Sequence, residues 1–380
     1  MLDEAAVSKY GAGLRAALGL PAEPFAAAPS LRWACDSNGT DAAAAEAAVW
    51  RNAKAMGAYA GARDGAPAVF VHVPKTAGTS LNLVLAKAAK KQKRSFCEVT
   101  FRDLDDAARR AALARSCGVF SAETDVSVLP FLGVRRAKAF TFLRDPLRRV
   151  ASQYEHHLAG GRVASDAAKR VDVLRLASPA LCPQLERDAR CRSLRHPAKC
   201  RGGGWCGIFQ NHMTHVVAGA QHLSDAARGA ARRSSDNLRC AAARALEALP
   251  AAGLTERLDD SLCVVFAEIG FDAVVADCCG SPARCALFGQ RATRHSAADR
   301  GAAANATAYL ADYLDDDVVL AALYEGNALD CDLYDAAARL LGARLRAADF
   351  YVDPAPVRGS ATCARARAAL AAFQRARHGA

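Results

Sequence analysis

The chain reads Val69-Phe70-Val71-His72-Val73-Pro74-Lys75-Thr76-Ala77-Gly78-Thr79-Ser80 at the point that decides its fold. The apolar, β-branched start predicts a buried strand, and a helix-forming segment at 81–90 follows the loop directly. In such a turn the loop amides and the first helical N–H groups converge on one point, where the helix dipole favours an anion. Lys75 adds a positive charge, and three hydroxyl side chains add donors. We therefore expect a phosphate cradle.

The loop differs from a Walker A motif, which needs a glycine five residues before its Gly-Lys-Ser/Thr. Here Lys75 precedes Gly78. A Lys-Thr-Ala-Gly-Thr string can also close an ordinary strand-to-helix turn, so a second motif has to decide between the two interpretations.

The second strand-to-helix boundary lies in Ala139-Phe140-Thr141-Phe142-Leu143-Arg144-Asp145-Pro146-Leu147-Arg148-Arg149-Val150-Ala151-Ser152-Gln153-Tyr154. The aromatic start predicts a buried strand, Asp145 is a typical helix N-cap, and the proline after it suits the first helical position. We expect the guanidinium of Arg144 and the hydroxyl of Ser152 to grip one phosphate. For this segment alone, a capped helix with solvated arginines is the alternative. One helix face is shared by Arg148, Ser152 and His156.

Together the two motifs resemble those of sulfotransferases that use 3′-phosphoadenosine 5′-phosphosulfate (PAPS), and they occur in the same order along the chain. The stretch 72–80 is similar to the version in Golgi glycan sulfotransferases of the heparan sulfate 2-O and 6-O types. The resemblance implies the sulfotransferase fold, a P-loop-like parallel sheet with helices on both faces, and a 3′-phosphate site at Arg144 and Ser152. It implies a 5′-phosphosulfate loop formed by Lys75, Thr76, Ala77, Gly78, Thr79 and Ser80.

Weaker similarities to the 6-O-type members run through residues 67–346. In these enzymes a Thr-Arg-x-Ser loop closes over the nucleotide. We expect the third core strand at 262–267, and the Thr-Glu that usually follows it is replaced here by Ile269-Gly270. The histidine expected beyond Cys117-Gly118 is also replaced, by residues 119–121. Both departures bear on ligand contacts and leave the acceptor open. The closing-loop candidates are Thr293, Arg294 and Ser296.

Sulfuryl transfer requires a base for the acceptor hydroxyl and positive charge for the leaving phosphate. Lys75 is placed for the second task. His72 is the expected base, because histidine titrates near neutral pH and because its position matches the base of the 6-O-type relatives. A buried core histidine is the alternative interpretation. The runner-up bases are His156 and Glu155.

The length, net charge and aromatic content of the chain indicate which binding partners to expect. A chain of 380 residues accommodates one large α/β catalytic domain with appendages. A net charge of +11 suits an anionic polysaccharide acceptor or an anionic cosubstrate. Nucleic acid is the competing partner, but no nucleic-acid-binding module is recognisable and aromatic residues make up only 7%. We therefore expect no nucleic acid partner.

Fourteen cysteines, an even number without Cys-x-x-Cys pairs, predict disulfides rather than a metal site. Glycosylation sequons at Asn38 and Asn305 agree with a secretory compartment, so we expect the Golgi lumen. The first residues show no signal sequence and no window is apolar enough to span a bilayer. We expect a truncated start, and contact with a membrane only through an anchor that precedes Met1.

Strands that alternate with helices predict a parallel sheet covered on both faces, with the ligand at the carboxyl ends of the strands. We expect an Ala-rich lead-in at 1–66, a catalytic domain at 67–350 and a tail at 351–380. A Cys-rich insertion is expected at 160–207, and helix-surface positions for His212 and His215. Helices are predicted at 104–115, 238–249, 271–278 and 329–346.

Three other functions remain open. A uronyl 2-O-type or other polysaccharide sulfotransferase is the alternative within the enzyme class. A P-loop kinase or NTPase would share the cradle but needs Mg²⁺ held by a strand-end acid, and the strand expected at 262–267 leads only to Glu268. A glycan-binding protein without activity would bind heparin-like chains and transfer no sulfate.

Overall fold

The computed structural model describes residues 66–99, 107–123, 138–158, 209–218, 251–280, 285–289, 316–348 and 356–378, together with isolated positions, most of them between 238 and 249. Its strands are β1 (Ala68–Val71), β2 (Phe96–Val99), β3 (Val119–Ala122), β4 (Lys138–Leu143) and β5 (Ala251–Leu254). Its helices are α1 (Gly78–Lys91), α2 (Ala107–Ser116), α3 (Pro146–Leu158), α4 (His212–Val217), α5 (Leu258–Glu268), α6 (Asp272–Cys278), α7 (Ala286–Gly289), α8 (Asp317–Ala347) and α9 (Ala361–His378).

The five strands form one parallel sheet in the order β2-β3-β1-β4-β5. The predicted α/β class with a parallel sheet is therefore confirmed. From β1 the chain passes through α1 to β2 on one side of the sheet, whereas from β4 it leads to β5 on the other side. The connections diverge between β1 and β4, and in open parallel sheets ligands bind in the crevice at such a point.

Burial explains why the central strands form. Every residue of β1, β3 and β5 is buried, as expected for parallel strands covered on both faces. Phe70 of β1 stacks on Phe140 of β4 with 5.4 Å between ring centroids. The Thr141 hydroxyl donates to the Val71 carbonyl over 2.8 Å, so this buried polar group is satisfied within the β1–β4 pair.

The strand predicted at 262–267 is wrong, because these residues belong to helix α5. Residues Leu262 to Phe266 are all buried, and a short run that is buried all round does not show by pattern whether it is a helix or a strand. The fifth strand, β5, lies earlier and reads Ala-Ala-Gly-Leu, without the β-branched residues typical of strands. Its Gly253 is required by packing, since a Cβ there would lie 2.5 Å from the Phe142 ring.

Disulfides connect elements that follow one another in the fold, which confirms the prediction that cysteines pair. Cys97–Cys117 links β2 to the short connection between α2 and β3, and Cys331–Cys363 links α8 to α9. Two more bridges, Cys263–Cys279 and Cys278–Cys285, join α5, the end of α6 and the residue before α7. Each closes a loop and is expected to stabilise the fold by limiting the unfolded chain.

The C-terminal region contains two helices: α8 includes the predicted helix at 329–346, and α9, within the predicted tail at 351–380, packs on it. Helix α8 contains a non-helical residue, Asn327, and the side chain of Asn211 accepts hydrogen bonds from the amides of Leu329 and Asp330 just after it. In return, Asp330 accepts hydrogen bonds from the Met213 and Thr214 amides at the start of α4. The two helices thus cap each other.

This reciprocal capping buries α4. His212 and His215 are 2% and 8% exposed, so their predicted place on a helix surface is wrong. The helices predicted at 271–278 and 329–346 are confirmed, as are the described parts of those at 104–115 and 238–249.

Several predicted segments lie outside the described residues: almost all of the lead-in at 1–66 and the whole Cys-rich insertion at 160–207. Among the residues that the structure describes, no helix combines the length and apolarity needed to cross a membrane.

Candidate active site

The loop between β1 and α1 gets its shape from two left-handed residues. Lys75 has φ 70° and Ala77 has φ 64°, values that are uncommon outside glycine and that cluster at functional turns. Between them the Thr76 side chain turns inward, and its hydroxyl donates to the Val73 carbonyl over 2.8 Å. Thr76 therefore shapes the loop from below, whereas Thr79 is exposed on the first turn of α1.

The N-terminus of α1 is open to an anion. Its N-cap residue is Ala77, which has no side-chain acceptor, and the first turn contains no acidic residue. The first intrahelical hydrogen bond runs from the Leu81 amide to the Ala77 carbonyl over 3.0 Å. The positive end of the helix dipole is thus not neutralised by a carboxylate of its own turn, which is the arrangement that binds phosphate.

His72 lies inside this cradle. A Cβ on Gly78 would overlap the His72 imidazole, so the ring rests directly against the first residue of α1 and only glycine leaves room for it. On its other side the imidazole stacks on Phe70 with 5.3 Å between centroids. His72 and Gly78 are therefore brought together as one unit at the end of β1.

Burial lowers the pKa of His72 to about 4, and the charge of the neighbouring Lys75 lowers it further in the same direction. The prediction that this histidine titrates near neutral pH is therefore wrong. The physical reason is that the imidazolium would lose its hydration beside another cation. At pH 7 the ring is neutral, so one of its nitrogens can accept a proton.

The second motif forms the turn between β4 and α3, and it contacts the first motif directly. Nη1 of Arg144 donates to the Lys75 carbonyl over 3.2 Å. The two sequence motifs, with Lys75 and Arg144 69 residues apart in the chain, thus meet at the carboxyl ends of β1 and β4. Burial lowers the pKa of Arg144, while Glu256 and Asp145 oppose that shift and help keep the guanidinium charged.

Asp145 holds this turn through three hydrogen bonds. Its Oδ1 accepts from the Arg148 amide over 3.0 Å, which confirms the predicted N-cap of α3. Its Oδ2 accepts from the Ser360 hydroxyl over 2.5 Å, and its amide donates to Oε1 of Glu256 over 2.9 Å. Glu256 in turn accepts from the Tyr334 hydroxyl over 3.0 Å.

Sequence reasoning missed Glu256 and Ser360, and it assigned Ile269-Gly270 to the wrong place. Among the described residues the last strand is β5, and the residues that follow it are Thr255 and Glu256. The Thr-Glu pair that was expected to be replaced is therefore present after this strand. The signal that could have found it is the Thr-Glu pair itself, after a short apolar run. Ser360 gives no signal, since it contacts Asp145 across 215 residues.

No protein-family model matches this chain. A search of curated proteins also finds no significant match. Its function therefore has to be inferred from its own residues and their geometry.

For the remaining predicted site residues, the structure describes some side chains and not others. Ser152 is half-buried on α3, and Ser80 is half-buried on α1. Glu155 and His156 belong to α3, but their side chains lie outside the described part of the chain. The closing-loop candidates, Thr293, Arg294 and Ser296, lie outside it as well. Among the described residues, no group of three or more His, Cys, Asp or Glu side chains could hold a metal ion.

Proposed function

We propose that this chain is a PAPS-dependent sulfotransferase with the P-loop-like sulfotransferase fold, acting on a hydroxyl of a glycan. The heparan-sulfate-like 6-O type is favoured, and a 2-O-type or other polysaccharide acceptor is the alternative within the class. The observation that carries the proposal is the hydrogen bond from Arg144 to the Lys75 carbonyl, which joins two anion-binding turns at one crevice. A ligand with phosphate at both its 3′ and 5′ positions matches two such turns better than a linear triphosphate does.

PAPS supplies an activated sulfuryl group on its 5′-phosphate, and the protein supplies the rest. The α1 N-terminus and Lys75 are expected to hold the 5′ end, and Arg144 the 3′-phosphate. As the acceptor oxygen bonds to sulfur, its proton passes to neutral His72. The electron pair of the broken S–O bond stays on the leaving phosphate, where Lys75 stabilises the charge.

The protein environment supports this division of roles. His72 and Lys75 both follow the end of β1 and lie close enough for their charges to interact, which supports placing the base and the cation at the same reacting bond. Burial lowers the pKa of His72, and the charge of Lys75 lowers it further, so the imidazole is held in the neutral form that a base requires. Disulfides and a net charge of +11 agree with a Golgi-lumen enzyme that handles anionic polysaccharide.

The decisive experiment offers radiolabelled PAPS and a panel of desulfated glycans to the full chain, followed by linkage analysis of the product. We expect incorporation into a polysaccharide without added Mg²⁺. Binding of heparin-like chains without any incorporation would point to the glycan-binding alternative. Mg²⁺-dependent binding of ATP in preference to adenosine 3′,5′-bisphosphate would point to the kinase alternative.

A variant of the base sharpens this test. His72→Ala is expected to lower transfer by about 10²- to 10⁴-fold, the usual contribution of a general base, while adenosine 3′,5′-bisphosphate still binds. Turnover near the wild-type level would remove His72 from this role and leave His156 or Glu155 as the base.

A further inference from the structure

The C-terminal helix α9 is connected to the candidate active site through the residue that precedes it. Ser360 precedes α9, and its hydroxyl donates to Oδ2 of Asp145 over 2.5 Å. Both residues are only 5% exposed, so water cannot replace this bond. Asp145 directly follows Arg144, the residue proposed to bind the 3′-phosphate.

The position of Ser360 is fixed from several sides. Its hydroxyl oxygen accepts from the Cys363 amide over 2.8 Å, which caps α9 and directs the hydroxyl proton away toward Asp145. Its own amide donates to Oδ1 of Asp335 over 2.9 Å. A Cβ on the preceding Gly359 would overlap the Asp335 carboxylate, so the backbone approaches α8 as closely as glycine allows.

Helix α9 is anchored to α8 independently of Ser360. The disulfide Cys331–Cys363 crosses between the helices, and Nε of Arg367 donates to the Tyr324 hydroxyl over 2.8 Å. Loss of the Ser360 hydroxyl is therefore expected to leave α9 docked. What changes is Asp145, whose buried Oδ2 loses its hydrogen-bond donor.

We propose that Ser360 is a positioning residue of the cosubstrate site: by fixing Asp145 it aims Arg144 at the 3′-phosphate. The inference rests on the proposed function and extends it to the segment after residue 350. Asp145 ties the turn to α3 through Oδ1 and to α9 through Oδ2. When Oδ2 of Asp145 loses its partner, the turn between β4 and α3 can rotate. Arg144 then loses the orientation in which it donates to the Lys75 carbonyl.

The experiment measures binding of two nucleotides to the full chain by calorimetry. Adenosine 3′,5′-bisphosphate reports both phosphate sites, whereas adenosine 5′-monophosphate reports only the 5′ site. We expect Ser360→Ala to weaken the bisphosphate roughly tenfold, as supporting residues behind a binding group do, and the monophosphate less than about twofold. In an Arg144→Ala background, Ser360→Ala should have no further effect, because the two residues act through one contact.

Three further variants separate positioning from helix stability. Arg365→Ala removes the 2.8 Å ion pair of α9 with Asp317 but keeps the Ser360 hydroxyl, and it should leave both affinities unchanged. Ser360→Asp caps α9 as well as serine does, but its carboxylate cannot donate to Asp145 and repels it. It should therefore weaken the bisphosphate at least as much as alanine does. Ser360→Thr keeps the hydroxyl and should restore most of the affinity.

Each result decides something different. If the wild-type chain does not bind the bisphosphate, both the proposed function and this inference are overturned. If it binds and Ser360→Ala binds equally well, or if both nucleotides are weakened alike, only the positioning role is overturned. A wild-type-like Ser360→Asp would also overturn it, by showing that helix capping alone matters.

Discussion

The two turns that meet at the crevice are held in opposite ways. The loop after β1 is shaped by its own residues: the Thr76 hydroxyl bonds to Val73, and the His72 ring rests on Gly78. The turn after β4 is held from far away, by Glu256 at 111 residues and Ser360 at 215 residues from Asp145. The conformation of the first turn depends on residues close to it in the sequence, whereas that of the second depends on contacts with distant segments of the folded chain.

The two turns also differ in the charges at the helix N-termini that follow them. The N-terminus of α1 carries no acidic residue and its N-cap is Ala77, so the helix dipole itself is available to a ligand. The N-terminus of α3 is already capped by the Asp145 carboxylate. An anion at the second turn must therefore be bound by side chains, above all by Arg144, and its affinity depends on how well that side chain is aimed.

The largest effect is expected from Gly78→Ala, which changes the turn after β1. The new methyl group would overlap the His72 ring and displace the proposed base from the α1 N-terminus. We expect sulfate transfer to fall by about 100-fold or more, since small misplacements of reacting groups cost that much. Overpacking should also lower the free energy of unfolding by about 1–3 kcal/mol.

Gly342→Ala is the matched control for this substitution. It lies within α8, where the nearest neighbours of a new Cβ are 3.5 Å away or more, an ordinary contact distance. It should stabilise the protein by about 0.5–1 kcal/mol and leave transfer unchanged, because alanine is a better helix former than glycine. Equal activity of the two variants would show that the contact between His72 and Gly78 has no functional role.

The next effect is a pH dependence of stability from His72. Its pKa is about 4 in the folded chain and 6.5 in the reference state, so between these values the unfolded chain binds more protons. The free energy of unfolding should therefore fall as the pH falls from 6.5 toward 4, by about 3 kcal/mol in total. The measurement is urea unfolding across this range for the wild type and for His72→Gln.

The difference between the two proteins isolates the histidine. Asp332, whose pKa is raised to about 6 by burial, contributes with the opposite sign, but it contributes equally to both proteins and cancels. Parallel curves for wild type and His72→Gln would mean that His72 is not buried as a neutral ring.

The contrast between the turns also explains what the sequence could predict. The loop after β1 is encoded within about ten residues, so its strand, its glycine and its helix start were all predictable. Asp145 as an N-cap was predictable for the same reason. Glu256 and Ser360 were missed because their roles exist only through contacts between distant segments. Strand β5 was missed because its residues become a strand through packing, with Gly253 against Phe142, and not through their own propensity.

A smaller effect is expected from Glu256→Gln, which weakens the contacts between Glu256 and the turn after β4. Glu256 accepts from the Asp145 amide with one oxygen and from Tyr334 with the other, and glutamine has only one acceptor oxygen. We expect adenosine 3′,5′-bisphosphate to bind roughly tenfold more weakly, with little change for adenosine 5′-monophosphate. The matched control is Glu268→Gln at the exposed end of α5, which should bind both nucleotides normally. Equal loss for both nucleotides would contradict the division into two phosphate sites.

The smallest effects come from two threonines of the first loop, and they should separate stability from binding. The buried hydroxyl of Thr76 donates to the Val73 carbonyl, so Thr76→Val is expected to cost about 1–2 kcal/mol in the free energy of unfolding. Thr79 is exposed at the open N-terminus of α1, so Thr79→Val should leave stability within about 0.5 kcal/mol. It should instead weaken nucleotide binding by about fivefold, the value of one hydrogen bond to phosphate. Denaturant unfolding and calorimetric titration of both variants measure the two effects. If Thr79→Val lost stability and kept its affinity, the 5′-phosphate would have to bind elsewhere than on the first turn of α1.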